Sequence, residues 1–202
     1  AVDEHKSGEA FKGDTISGFR ERTRANVKIE DGCNRFCSHC IIPYARGRVR
    51  SKPFDVLKGE LESLEKNGFS EIVLVGINLS AYLTEEGKNL ADAVELAASF
   101  DGIKRVRLGS LEPDHITDNI INALAQIPKF CPQFHISLQS GCDSTLKRMN
   151  RHYDSTEYYE LCQKLRKAFD STTITTDIMV GFPGETEQDF EASLAFAEKV
   201  SF

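Results

Sequence analysis

Five apolar runs of strand length, each followed by a segment with helical periodicity, constrain the fold of this chain more than any other feature. The runs cover residues 26–30, 71–77, 105–110, 134–139 and 174–181. The helical segments cover residues 54–67, 90–100, 116–127, 157–169 and 190–200, the last preceded by a capping pattern at Thr186 and Asp189. Strands that alternate with helices normally form a parallel sheet joined by right-handed crossovers. The sequence therefore predicts an α/β fold of five strand–helix units.

Polar side chains lie near the ends of four of these runs, just before the loop that follows. They are Asn78, Ser110 with Glu112, Gln139 and Asp177. In a parallel barrel the carboxyl ends of the strands share one face, where catalytic groups collect. Each residue taken alone is explained equally well as a turn cap. Their recurrence at four strand ends favours one shared site.

Three cysteines lie within eight residues, in the loop after the first predicted strand. They are Cys33, Cys37 and Cys40, with the spacing C-x3-C-x2-C. Three thiolates this close can hold one metal centre and leave one coordination position open. Most residues between them are polar, which argues against three core cysteines. The sequence predicts a metal centre on the face that carries the strand ends.

An iron–sulfur cluster and a zinc ion are the two centres considered for these thiols. Three cysteines bind a 4Fe-4S cluster with one iron left open to a further ligand. For zinc, His39 is a fourth ligand of the right type. However, His39 adjoins Cys40, which makes joint tetrahedral ligation awkward, and no second ligand pair stands out downstream. The spacing favours the cluster, and a zinc-stabilised binding module without catalysis is the alternative of another class.

Charge and cysteine content narrow the class of protein further. The formal net charge of the 202 residues is −6, which excludes a nucleic-acid binder that works by bulk charge. Six cysteines are too few for a disulfide scaffold in a chain of this length. We therefore expect reduced thiols in the cytoplasm, with structural roles for the scattered Cys131, Cys142 and Cys162.

The two ends of the sequence indicate a piece of a longer protein. The chain begins at Ala1 without a methionine and stops at Phe202, inside a predicted helix. Residues 1–24 are polar and contain glycines, which predicts a linker or an arm. The sequence has no apolar run of membrane-spanning length and no signal-peptide pattern.

The cysteine spacing and several further motifs resemble a known family. The pattern C-x3-C-x-φ-C, with φ usually aromatic and here His39, resembles the motif of radical S-adenosylmethionine (SAM) enzymes. Within that superfamily the chain is similar to the methylthiotransferases over about residues 25–202. The segments that carry this similarity are GCNRFCSHCIIPYARG (32–47), GINL (76–79), SLEP (110–113), SLQSG (137–141), KRMNR (147–151) and TDIMVGFPGE (176–185).

The segment SLQSGCD (137–143) is most similar to the enzymes that modify threonylcarbamoyladenosine in tRNA. The isopentenyladenosine-type tRNA enzymes and the enzymes that act on a ribosomal protein more often have Leu-Pro-Val-Gln-Ser-Gly there. The resemblance therefore favours the first substrate and keeps the other two as alternatives.

The resemblance implies a fold, two cofactors and a reaction. The fold is a partial (β/α)6 TIM-like barrel, here expected to lack its last strand. Three cysteines hold a 4Fe-4S cluster, whose open iron binds SAM, and reductive cleavage of SAM yields a deoxyadenosyl radical. That radical activates C2 of an adenine next to the tRNA anticodon, which then receives a methylthio group. Residues 25–202 would be the radical SAM core. The N-terminal cluster domain and C-terminal RNA-binding domain of the family are absent, so we expect this piece to bind SAM without completing the reaction.

The resemblance also names residues. Cys33, Cys37 and Cys40 are the expected cluster ligands, and no catalytic residue is assigned beyond the cluster. The backbone near His39 would face the SAM adenine, and Gly76 with Asn78 would meet the methionyl amine. Arg148 or Arg151 would pair with the methionyl carboxylate through a bidentate fork, unless both are solvated helix charges. The expected cofactor-binding residues are His39, Gly76, Asn78, Ser110, Glu112, Gln139, Arg148 and Asp177.

Two neighbouring segments complete the predicted site. The turn Gly181-Phe-Pro-Gly184 would pack against adenine or be a simple turn. A basic stretch after the cysteine loop consists of Arg46, Arg48, Arg50 and Lys52. It would grip tRNA phosphates or hold a missing domain against the barrel mouth, or it is an exposed charged loop.

Overall fold

The computed structural model describes residues 9–17 and 23–202. The strands are β1 (Arg24–Lys28), β2 (Glu30–Asp31), β3 (Arg50–Ser51), β4 (Glu71–Val75), β5 (Arg105–Leu108), β6 (Ser110–Leu111), β7 (Gln133–Ile136) and β8 (Thr173–Thr175). The helices are α1 (Ile42–Ala45), α2 (Phe54–Lys66), α3 (Leu90–Ser99), α4 (Asp118–Ala125), α5 (Asp143–Arg148), α6 (Ser155–Ala168) and α7 (Glu187–Val200). Single 3₁₀ turns cover Leu79–Ala81 and Pro113–His115. Residues 1–8 and 18–22 of the predicted linker lie outside the described residues.

Two parallel three-stranded sheets form the centre of the molecule. The first has the order β1-β4-β5 and the second β6-β7-β8, so all five strand–helix units predicted from the sequence are confirmed. The predicted strand 105–110 is divided at Gly109, and a single bridge between Val106 and Phe130 continues the pairing across the division. Within the described ranges β1 is not paired with β8, which leaves a partial, open barrel.

The core lies between the sheets and the helices that cover them. Alternate side chains of the first sheet, such as Val27, Leu74 and Val106, are fully buried. Burial of a side chain of this size contributes about 1.5–3 kcal/mol. The predicted apolar face of α2 packs against them, with Leu57 and Leu61 fully buried. Within the described ranges, no helix has the length and apolar character required to span a bilayer.

Capping residues set the starts of the helices. Thr186 and Asp189 form the predicted capping box of α7, so this helix begins at Glu187 and not at 190. Asp154 caps α6 in the same way, and the helix begins two residues before the predicted 157. Thr117 caps α4, which excludes the first two residues of the predicted helix 116–127. Each cap accepts backbone N–H groups that the first helical turn leaves without partners.

The strands β4, β7 and β8 end earlier than the apolar runs predict, and beyond β7 side chains take up backbone hydrogen-bond partners. After β7, the Leu138 N–H donates to Thr176 Oγ1 at 2.9 Å, and Thr176 Oγ1 donates to the Ile136 carbonyl at 2.6 Å. The Tyr153 hydroxyl donates to the Ser137 carbonyl at 2.7 Å. The residues beyond positions 75, 136 and 175 belong to loops at the carboxyl ends of β4, β7 and β8.

Candidate functional site

The three cysteines lie on one closed loop between β2 and β3, which we call the cysteine loop (residues 32–47). The Cys33 N–H donates to the Gly47 carbonyl at 3.0 Å, which joins the two ends of the loop. Gly32 has φ +85°, and a Cβ there would collide with the Arg48 carbonyl oxygen. Only glycine fits this start of the loop without strain. The local sequence therefore closes the loop at the carboxyl end of β1.

All three cysteines of the loop are free thiols. Cys37 is buried, whereas Cys33 and Cys40 are half-buried. The Cys40 N–H donates to the Cys37 carbonyl at 2.9 Å, so these two residues share one tight turn. Two N–H groups point at sulfur: the Arg35 amide lies 3.4 Å from Cys33 Sγ and Arg151 Nη1 lies 3.2 Å from Cys37 Sγ. Burial raises the pKa of the Cys33 thiol, partly offset by the Arg35 amide.

A second segment, residues 148–151 at the end of α5, holds the cysteine loop through hydrogen bonds. We call this segment the tether. The Ser38 N–H donates to the Met149 carbonyl at 3.0 Å, and Ser38 Oγ donates to the Arg148 carbonyl at 2.8 Å. The Asn150 amide donates to the Phe36 carbonyl at 3.0 Å. Asn150 has φ +57°, a left-handed conformation that asparagine tolerates better than most residues. The tether lies within the motif KRMNR (147–151), for which the sequence predicted a role of the arginines alone.

The two arginines of the tether have different partners. Arg148 forms an ion pair with Asp189 at the start of α7, with Nη2 at 3.0 Å from Oδ2. Arg151 is nearly enclosed, with 4% of its side chain exposed, and it forms an ion pair with Glu112 beside Cys37. Of the two arginines predicted for the site, the structure places Arg151 at the cysteine loop. The Arg148 guanidinium is held by Asp189.

Glu30, the first residue of β2, contacts the loop after β4. Its carboxylate accepts the Asn78 N–H at 2.6 Å, and burial raises the pKa of Glu30 to about 7, partly offset by this hydrogen bond. A Cβ on Gly76 would lie 2.8 Å from that carboxylate, so the glycine permits the approach. Glu30 Oε1 and both side-chain polar atoms of Asn78 are buried and have no hydrogen-bond partner among residues 9–17 and 23–202. Glu30 was not predicted, since it stands inside the run 26–30 that was assigned to a strand.

The other predicted residues lie at the ends of neighbouring strands. The Gln139 N–H donates to the Asp177 carbonyl at 3.0 Å, which joins the loops after β7 and β8. The Asp177 side chain is 81% exposed and lies 3.5 Å from the His135 imidazole. Ser110 is exposed at the start of β6, and Glu112 follows that strand. Asn78, Glu112, Gln139 and Asp177 therefore each lie in a loop that follows the carboxyl end of a strand. That they share one site stays a prediction.

The turn 181–184 contacts the cysteine loop. The Phe182 ring packs edge-to-face on the His39 ring, with 5.8 Å between centroids. Burial and the charge of Arg151 lower the pKa of His39. Among the described residues, no three His, Cys, Asp or Glu side chains are grouped as ligands of one metal ion. The thiolates of a 4Fe-4S cluster each bind a different iron atom, so a cluster requires a wider spread of ligands than a single zinc ion.

The predicted basic stretch divides into exposed and enclosed residues. Lys52 is fully buried and paired with Glu60, so it cannot contact a phosphate. Arg50 is 9% exposed in its side chain and lies 3.5 Å from Asp31. Arg46 and Arg48 remain exposed, and the Arg48 guanidinium lies 4.4 Å from the centre of the Phe36 ring. The expectation of one exposed basic loop therefore holds for only two of its four cations.

Asp31 collects the charges of this region. It accepts hydrogen bonds from Lys28 and Arg46, with Lys28 Nζ at 2.9 Å and Arg46 Nη2 at 3.1 Å. Burial would raise the pKa of Asp31, but the hydrogen bonds and charges of these two cations outweigh burial and hold that pKa below its ordinary value.

Of the scattered cysteines, Cys162 is fully buried on α6, where burial raises the pKa of its thiol to about 11.

Comparison with known proteins identifies the family. The sequence matches the radical SAM superfamily over residues 27–197. The chain belongs to the radical SAM superfamily. The methylthiotransferase resemblance is confirmed as well, because the chain is 43% identical over 185 residues to the threonylcarbamoyladenosine tRNA methylthiotransferase MtaB of Thermotoga maritima. It is also 42% identical over 185 residues to the tRNA-2-methylthio-N(6)-dimethylallyladenosine synthase of Clostridium botulinum.

These radical SAM relatives are longer than the chain. The two alignments cover 91% and 89% of this chain but 43% and 40% of the relatives. Among solved structures, the radical SAM methyltransferase TsrM of Kitasatospora setae, with cobalamin and a [4Fe-4S] cluster bound, superposes with a TM-score of 0.73. That superposition covers 99% of this chain and 39% of TsrM at 17% identity, which supports the shared fold alone.

Proposed function

We propose that residues 25–202 form the radical SAM core of a tRNA methylthiotransferase that modifies C2 of N6-threonylcarbamoyladenosine next to the anticodon. The observation that carries the proposal is the cysteine loop, which presents three free thiols beside the carboxyl ends of the parallel strands. The names of the relatives support the tRNA substrate, and the segment SLQSGCD supports the choice of nucleoside. Such a substrate implies work in the cytoplasm, in a longer protein with an N-terminal cluster domain and a C-terminal RNA-binding domain.

We propose Cys33, Cys37 and Cys40 as the three thiolate ligands of a 4Fe-4S cluster. The donor set fits this group, because it consists of free thiols that receive N–H hydrogen bonds from Arg35 and Arg151. When bound, the cluster and SAM together supply one-electron chemistry that the side chains of this chain lack. The residues of the loop hold the ligands, and the tether holds the loop by hydrogen bonds to Ser38 and Phe36.

The remaining polar groups are proposed to bind SAM. Asn78 fits this role because its amide atoms are buried and without partners in the described structure. Gly76 leaves room beside it, and His39 with Phe182 provides an aromatic wall for an adenine ring. Ser110, Glu112, Gln139 and Asp177 line the neighbouring strand ends. Arg148 is the weakest member of the set, since its guanidinium is held by Asp189.

Reconstitution of the protein with iron and sulfide under anaerobic conditions tests the cofactor proposal. We expect broad visible absorbance and about four irons per cluster, both lost when the three cysteines are changed to alanine. The same change at Cys131, Cys142 and Cys162 provides the matched control and should leave the absorbance intact. Stoichiometric zinc without visible absorbance would support the binding module instead.

Mass spectrometry of tRNA nucleosides from a strain that lacks the gene tests the substrate. Loss of the methylthio group from threonylcarbamoyladenosine alone supports the proposal. Loss of the methylthio group from isopentenyladenosine would instead favour that nucleoside as the substrate. Unchanged methylthio-adenosines would exclude tRNA as the substrate and favour a ribosomal protein.

The exposed cations Arg46, in the cysteine loop, and Arg48, just after it, are proposed to contact tRNA phosphates. Tyr44, in the same loop, is 68% exposed and could stack on a base. Changing both arginines to glutamine in the full-length enzyme should weaken tRNA binding and flatten its salt dependence by about two charges. The control changes two exposed lysines of α2, Lys58 and Lys66, and should leave both quantities unchanged. Equal effects from the two pairs would contradict a specific surface.

A further inference from the structure

We propose that Arg151 raises the reduction potential of the cluster by donating a charged hydrogen bond to the Cys37 thiolate, and that Glu112 opposes it. The inference rests on the proposed 4Fe-4S site and adds a pair of positioning residues to it. It gives Arg151 a role different from the predicted pairing of Arg148 or Arg151 with the SAM carboxylate.

The contact between Arg151 and Cys37 is direct. Arg151 Nη1 lies 3.2 Å from Cys37 Sγ, within hydrogen-bond distance of a sulfur acceptor. The Arg151 side chain is 4% exposed and Cys37 is 9% exposed, so solvent screens the interaction little. A hydrogen bond from a guanidinium to a thiolate is of the strong, charge-assisted kind.

The guanidinium is fixed on its other sides. Arg151 Nε donates to the Tyr153 hydroxyl at 3.0 Å, and that hydroxyl donates to the Ser137 carbonyl at the end of β7. Arg151 Nη2 donates to Glu112 Oε2, and the Arg151 N–H donates to the Leu146 carbonyl at 3.0 Å. These partners hold the remaining Nη1 donor toward the sulfur.

The sign of the effect follows from charge. One-electron reduction adds one negative charge to a cluster and its thiolates, with the electron supplied by an external low-potential reductant. A nearby cation and an N–H donor to sulfur stabilise the reduced form and raise the potential. The Glu112 carboxylate acts with the opposite sign.

A redox titration of the reconstituted protein with dithionite, followed by visible absorbance and electron paramagnetic resonance, tests the inference. The midpoint potential should move to more negative values in Arg151→Met and less far in Arg151→Lys, which keeps the charge. It should move to more positive values in Glu112→Gln. The matched control is Arg107→Met, which removes the ion pair between Arg107 of β5 and Glu71, the first residue of β4. This pair lies away from the cysteine loop. That variant should leave the potential unchanged.

Opposite shifts in the Arg151 and Glu112 variants support the inference, because a loosened site would change both in the same direction. Unchanged or parallel shifts overturn it. If Arg151→Met assembles no cluster, the signs in Arg151→Lys and Glu112→Gln decide. Failure of the unaltered protein to assemble a cluster overturns the proposed function itself, whereas a cluster with an insensitive potential overturns only this inference.

Discussion

Two buried ion pairs, Lys52–Glu60 and Arg151–Glu112, show how similar groups serve different ends. The side chains of Lys52 and Glu60 are 0% and 1% exposed, and those of Arg151 and Glu112 are 4% and 18% exposed. The first pair is completed by its surroundings. The Phe11 ring lies 5.5 Å from Lys52 Nζ, and the Ile16 N–H donates to Glu60 at 2.9 Å. In the second pair, Arg151 Nη1 is not used by Glu112 and donates to Cys37 Sγ.

The Lys52–Glu60 pair supports the fold, whereas the Arg151–Glu112 pair acts at the candidate site. Lys52, next to β3, pairs with Glu60 of α2 and lies over the ring of Phe11. Arg151 links the tether to the ends of β6 and β7, where the cysteine loop lies. Removing one partner of a buried pair leaves an uncompensated charge in either place. The consequence for the cluster should differ between them.

The largest effect is expected from Lys52→Met. The Glu60 carboxylate would remain buried without a cation, which should lower the free energy of unfolding by about 3–5 kcal/mol. Urea denaturation of the metal-free protein measures this loss. The double change Lys52→Met and Glu60→Leu should recover most of it, because it removes both charges. A single variant as stable as the parent would contradict the importance of this enclosed pair.

Arg151→Met should cost less stability, about 2–3 kcal/mol, because Glu112 is partly exposed and can take up water. The same urea experiment applies. The urea experiment and the redox titration should then rank the two variants in opposite orders. Lys52→Met should lower the free energy of unfolding with little change in the midpoint potential. Arg151→Met should change the potential strongly and stability moderately. Equal changes in both quantities for both variants would erase the distinction between the two pairs.

Glu30 is a buried carboxyl that forms no ion pair with the described residues, and the charge of Lys28 lowers its pKa only slightly against the effect of burial. Burial raises its pKa from 4.5 to about 7, so the folded state binds a proton more tightly than the unfolded state does. Stability should therefore fall as the pH rises through this interval. Glu30→Gln should abolish that slope and stabilise the protein by about 1–2 kcal/mol near neutral pH. Urea titrations at several pH values measure it, and a stability of the parent that rises across the same interval would contradict the assignment.

The smallest effect is expected from an exposed pair. Lys164 and Asp118 lie 2.8 Å apart on the surface, with side chains 52% and 67% exposed. Lys164→Met should leave the urea midpoint unchanged, because water screens both charges and the long side chains lose entropy when paired. A loss comparable with that of Lys52→Met would show that enclosure does not control the strength of these pairs.

Local patterns in the sequence were sufficient for much of the fold. The apolar face of α2, the capping box of α7 and the five strand–helix units follow from periodicity and short-range hydrogen bonds. The strand ends were less predictable. Thr176 and Tyr153 take over ladder partners from residues more than a dozen positions away, and no local pattern signals that exchange. The short helix α5 was missed for a similar reason, since six residues carry little periodicity.

The sequence by itself determined the cysteine spacing, the strand–helix alternation and the family, because all three depend on residues close together in the chain. Only the tertiary structure decided which charges act where. Arg148 and Arg151 stand three residues apart in one motif, yet one is held by Asp189 and the other faces Cys37. Lys52 closes a motif of four cations and is buried. The partner of a long charged side chain depends on which distant elements fold against it, so the enclosure that controls its effect exists only in the folded molecule.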